Sequence, residues 1–144
     1  MATRTGTDMA ARTLDSGTLA RRGLLALAVA LAANAVLVFA SGLANVAPGL
    51  DPLNYGPVVF FTTLGVVGAA VVYALLRRFS ANADRTFTIV AAVVALLSPV
   101  PDAVFVPTRP GATTLGAVVL AVMHLTTAAA CVVFFTDWRG LAGR

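Results

Sequence analysis

Apolar positions along this chain come in four long runs, separated by short polar or turn-rich stretches. The first covers about 23–46, "GLLALAVALAANAVLVFASGLANV", and the second about 57–76, "PVVFFTTLGVVGAAVVYALL". The third covers about 87–106, "FTIVAAVVALLSPVPDAVFV", and the fourth about 113–136, "TTLGAVVLAVMHLTTAAACVVFFT". Each run is long enough for one helix to cross a bilayer core, which needs about 20 apolar residues. Pro57 suits a first helical turn, where its missing N–H costs nothing. Pro107, Pro110 and Gly111 make the last connection a tight turn.

Small and polar residues recur within each run at spacings of three and four, which places them on one arc of a helix. The stripes are Ala30, Asn34, Ser41 and Asn45; Thr62, Gly65, Ala69 and Tyr73; Ala91, Ala95, Ser98 and Asp102; and Ala117, Ala121, His124, Ala128 and Cys131. Leu120 falls on a different face from Ala121 in this scheme. Helices in lipid associate through small residues and a few polar ones, because apolar bulk is equally at home in the acyl chains. The pattern therefore predicts an all-α integral membrane four-helix bundle, up-down-up-down, as one domain over 21–139. Residues 1–20 read as a polar tail, disordered or lying loosely on the membrane surface. Residues 140–144 read as a short cytoplasmic tail.

Composition agrees with the pattern. The chain has 144 residues, 59% hydrophobic and 11% charged, with a mean hydropathy of +0.91. A soluble domain of this size needs more polar surface. Every basic residue is Arg and every acidic one is Asp. Arg4, Arg12, Arg21, Arg22, Arg77, Arg78, Arg85, Arg139 and Arg144 fall on one side of a four-span topology, and only Arg109 on the other. Arginine excess marks the cytoplasmic side, so both termini are expected inside a multi-pass protein of the cell membrane. Trp138 beside Arg139, and Tyr55 at the opposite end, suit interfacial anchors. The arginines flank apolar runs and form no patch with interleaved aromatics, so no nucleic acid is expected; the expected partner is the lipid bilayer.

The stretch "LLSPVPDAVFVP", 96–107, places a carboxylate and two prolines inside an apolar run. Pro99 cannot donate to the Ala95 carbonyl, nor Pro101 to that of Leu97. A bend at Pro99 and Pro101 is expected, with the freed carbonyls met by donors from neighbouring helices. A rise of about 1.5 Å per residue puts Asn34, Ser98 and His124 near one level, with Asp102, Thr62 and Ser41 nearer the outer face. Asn34, Ser98, Asp102 and His124 are thus the candidate polar cluster inside the membrane, with His124 donating to an oxygen of helix three or one.

The chemistry that would make an enzyme is missing. The sequence has no His-Glu-x-x-His, no Gly-x-Ser-x-Gly and no Gly-rich phosphate loop. A single His and a single Cys, Cys131, give no metal set, disulfide or Cys-x-x-Cys site. No cofactor and no catalytic residue is expected. The leading expectation is a structural or accessory membrane component, working with a second copy or another membrane subunit. The alternative is a transporter or channel-like element moving a proton or small polar solute through Asn34, Ser98, Asp102 and His124.

Three short motifs add a resemblance. "LLSPVPD" late in helix three, "VMHLTTAAA" in helix four and "YGPVVFFTTLG" opening helix two resemble an uncharacterised family of small four-span prokaryotic membrane proteins, a domain of unknown function. The resemblance covers nearly the whole chain after residue 20. It implies the four-span fold and a family pattern that includes Ser98, Pro99 and His124. It carries neither an activity nor Asp102.

Overall fold

The computed structural model describes residues 16–137. The expectations for the tail before residue 16, for the Trp138 and Arg139 anchor and for 140–144 lie outside them. The helices are α1 (Ser16–Leu43), α2 (Tyr55–Phe79), α3 (Ala83–Leu97), α4 (Pro99–Phe105) and α5 (Thr114–Phe135), with single 3-10 turns at Asp51–Leu53 and Val106–Thr108. The described residues contain no strand. Four segments are long and apolar enough to cross a membrane: α1, α2, the joined stretch Ala83–Thr108 and α5. The chain is thus all-α and of the four-span membrane type.

Helix α1 begins at Ser16, inside the stretch expected to be a loose tail. Leu19, Ala20, Arg21 and Arg22 are good helix formers, and Leu19 packs against the buried core. The other end of α1 has a clear stop. Asn45 adopts φ +50, Asn45 N–H donates to Gly42 O at 3.1 Å, and Val46 N–H donates to Ser41 O at 3.0 Å. These two bonds form a Schellman motif, with Asn45 in the left-handed position that Gly or Asn tolerates. Asn45 therefore ends the helix and is exposed, whereas the stripe had placed it in the seam.

α1 packs on α5 and α2, and α3 packs on α2 and α5; α2 and α5 also touch across the bundle. The core has two layers. One contains Ala26, Ala30, Val66, Tyr73, Phe87, Ala130, Cys131 and Phe135, all buried. Its centre is an aromatic trio: Tyr73 stacks on Phe135 at 5.7 Å, and Phe87 meets both rings edge-on at 5.1 and 5.8 Å. This layer lies toward the end where the arginines gather. The second layer, toward the opposite loops, contains Val38, Leu50, Leu53, Val58, Val106, Leu120 and Met123. The outward positions are apolar on every segment, as Leu24, Phe39, Phe60, Phe61, Leu96, Phe105 and Leu115 illustrate.

Two corrections follow on the fourth segment. Leu120 is buried, with Gly116, Met123, Ala130, Cys131 and Phe135 on the same face. Ala121, His124 and Ala128 flank that face, each only half-buried. The stripe is rotated because α5 turns its larger side chains toward α1 and α2.

The loop end is stapled by two glycines and a threonine. Gly111 has φ +75, and a Cβ there would collide with Pro48 O. A Cβ on Gly116 would sit 2.8 Å from the Ala47 side chain. Thr113 Oγ accepts from Gly116 N–H at 3.0 Å and donates to Val46 O at 2.7 Å. It caps α5 and ties its start to the loop after α1 at once.

Candidate functional site

The polar side chains of the four segments fall into three separate places. Halfway along the bundle, Asn34 of α1 is 1% exposed. Its Nδ2 donates to Thr62 Oγ1 of α2 at 2.9 Å and to Thr127 Oγ1 of α5 at 3.1 Å. Thr127 Oγ1 in turn donates to Met123 O at 2.9 Å. Three helices are thereby joined at one amide. Asn34 Oδ1 is enclosed and has no partner.

The second place is the pair Asp102 and His124. The third segment is interrupted at Ser98, where α3 ends and α4 begins at Pro99. α4 packs on α5, and this brings Asp102 Oδ2 to 3.8 Å from His124 Nδ1. His124 Nδ1 lies 2.8 Å from Leu120 O. A carbonyl only accepts, so Nδ1 carries a hydrogen and Nε2 is the acceptor of the neutral ring. Asp102 Oδ2 is enclosed and makes no hydrogen bond. The His124 and Asp102 side chains are nevertheless 37% and 28% exposed, so the pair sits on the flank of the bundle and not on its axis.

The expected four-residue cluster is therefore divided. Asp102 and His124 meet, while Asn34 belongs to the threonine clamp. Ser98 Oγ donates to Val94 O at 2.7 Å in its own helix, and His124 bonds within α5 and not to helix three or one. None of the three expected donors reaches the Ala95 or Leu97 carbonyl. Ser98 and His124 find the carbonyl one turn back in their own helices before any neighbouring chain, and Asn34 spends its amide on Thr62 and Thr127.

The third place, at the arginine end, was not foreseen. Tyr73 OH donates to Asp84 Oδ1 at 2.7 Å, and Asp84 Oδ2 accepts from Asp137 N–H at 3.2 Å. Arg22 Nη1 donates to Phe135 O, at the end of α5, at 2.8 Å. Arg77 Nε is enclosed without a partner. One signal was available in the sequence: a tyrosine within an apolar run needs a partner for its hydroxyl, and Asp84 is the acid in the first turn of the next helix. At the opposite end, a groove of about 430 Å³ opens between the end of α1 and the start of α2, reaching in to Val38 and Ser41. Among the described residues no group of His, Cys, Asp or Glu is arranged to hold a metal ion.

The model of a family of unknown function (DUF6069) matches residues 14–140. No curated protein and no solved structure matches. The match spans most of the chain, which therefore belongs to the DUF6069 family.

Proposed function

We propose that this DUF6069 member is a structural or accessory component of the cell membrane, with both termini cytoplasmic and no catalytic centre. The observation that carries the reading is the closed middle of the bundle. Asn34 is sealed between Thr62 and Thr127, and the Tyr73, Phe87 and Phe135 rings fill the layer beside it. A seam shut by direct side-chain contact suits a packing unit better than a conduit. The flank adds a second support. A half-exposed carboxyl and imidazole along an apolar segment are costly against acyl chains, and a second copy or another membrane subunit would cover them. The test is purification from native membrane in mild detergent, followed by mass measurement of the intact particle. A stable assembly larger than one chain supports the reading; a monodisperse monomer under several mild detergents overturns it.

One observation favours the second reading, a proton or small-solute carrier. Asp102 Oδ2 is enclosed without a donor beside an imidazole, a pair able to take up one proton. That route would run along the α4–α5 flank and would not use Asn34. Proteoliposomes with an imposed pH gradient test it: proton flux lost in Asp102→Asn, with the fold intact, supports carriage; flux equal to protein-free vesicles removes it.

A further inference from the structure

The arginine end holds more positive charge than its own carboxylates meet. Among the described residues it carries Arg21, Arg22, Arg77, Arg78 and Arg85 against Asp84 and Asp137. Asp84 has both oxygens committed, one to Tyr73 and one to the Asp137 amide. The described residues contain no arginine–carboxylate ion pair; the one close acid–base pair is Asp102 with His124, far along the bundle. Two of the arginines differ from the rest. Arg22 on α1 and Arg77 on α2 are half-buried, and they flank one aromatic stack: Arg22 Nη1 reaches Phe135 O, the Phe135 ring stacks on Tyr73, and Arg77 follows Tyr73 by one turn on the same face of α2. Arg22 commits one nitrogen to Phe135 O, leaving most of its five N–H donors. Arg77 Nε is enclosed and meets no acceptor. An enclosed cationic donor without an acceptor calls for a missing anion or water.

We propose that Arg22 and Arg77 form a binding site for the phosphodiester of an anionic phospholipid. Two guanidinium forks from adjacent helices match the oxygens of one phosphate. Arg77 stands in the last turn of α2 and Arg22 beside the last residue of α5, the depth at which the proposed placement puts a headgroup, and basic pockets between helices at that depth take acidic lipids. Arg78 is exposed and turned to the Phe79 ring at 5.6 Å, and serves as the outside control. The site depends on the membrane placement proposed above, and the experiment separates the two.

The experiment uses the full chain in nanodiscs of phosphatidylcholine alone or with phosphatidylglycerol, reading bound lipid by native mass spectrometry and thermal unfolding in parallel. The expected result is selective retention of phosphatidylglycerol and a higher Tm in its presence. Arg77→Gln and Arg22→Gln should each weaken retention about fivefold, Arg77→Lys should weaken it less, and Arg78→Gln should leave it nearly unchanged. Equal retention of both lipids by a chain that inserts into neutral discs overturns the site alone. Failure to insert into neutral discs overturns the membrane placement. A Tm rise given by inorganic phosphate in neutral discs, equal to that from phosphatidylglycerol, overturns the lipid assignment in favour of a free-anion site. Equal loss in Arg78→Gln and Arg77→Gln reduces the effect to overall charge and also overturns it.

Discussion

Asn34 and His124 look alike in the sequence, each a polar residue inside a long apolar run, yet they do different work. Asn34 has an amide that reaches two other helices, because a short side chain on a small-residue face lets α2 and α5 come close. Its two interhelical bonds are worth about 0.6 kcal/mol each if they follow the membrane-protein average. Asn34→Ala should therefore lower unfolding stability in detergent by about 1 kcal/mol, measured by thermal or denaturant unfolding. No loss at all would mean that Thr62 and Thr127 are equally content without it. His124 spends its proton on its own helix, so His124→Gln and His124→Ala should differ by less than about 0.5 kcal/mol. The depth argument from the sequence put His124 and Asn34 near one level, whereas the Asn34 amide meets Thr127, nearly one turn beyond His124 on α5. It could not see that a carbonyl four residues back is the nearest acceptor, which is a property of side-chain direction and not of spacing.

Periodicity fixed which segments become helices and left open which way each one turns. The four apolar runs map onto the four membrane-length segments, since run length is a direct physical requirement of the bilayer. The facing of α5 was misjudged because small residues were taken to mark the seam. Leu120 at 6% exposure and Met123 at 5% fill it instead, and Gly116 supplies the close approach to the loop after α1. Leu120→Ala should thus cost about 2 kcal/mol, the low end for a buried leucine, and Ala121→Leu should cost less; paired unfolding curves decide the order. Helix ends were the other blind spot. Asn45 was legible only as a polar residue, while its φ of +50 makes it a helix stop. Asn45→Gly should be neutral or slightly stabilising, and Asn45→Val should cost about 1–2 kcal/mol, the penalty for a side chain forced left-handed. Equal stability of the two variants would remove the Schellman motif from the account of where α1 ends.

For the molecule as a whole, the loops divide between two ends by direct contact. Thr113 Oγ1 bonds Val46 O and Gly111 lies against Pro48, so the connections after α1 and before α5 share one end. Asp84 Oδ2 accepts from Asp137 N–H, which joins the α2–α3 connection to the end of α5 at the other. An even number of crossings then returns the C-terminal end of α5 to the side from which α1 starts. Which side is cytoplasmic is a separate matter, resting on charge alone. Among the described residues Arg21, Arg22, Arg77, Arg78 and Arg85 gather at one end, with Arg109 alone at the other, an imbalance that favours the first end inside. Reporter fusions at residues 50 and 110 should therefore read as external, and those at 82 and 144 as cytoplasmic. The four sites test two things at once. Sites 50 and 110 must agree with each other whatever the orientation, because the loop contacts hold them together. Opposite readings at these two would break the four-span fold. Agreement with both on the cytoplasmic side would keep the fold and reverse the charge argument. Arg109→Gln should leave all four readings unchanged, since one arginine against five does not set the direction.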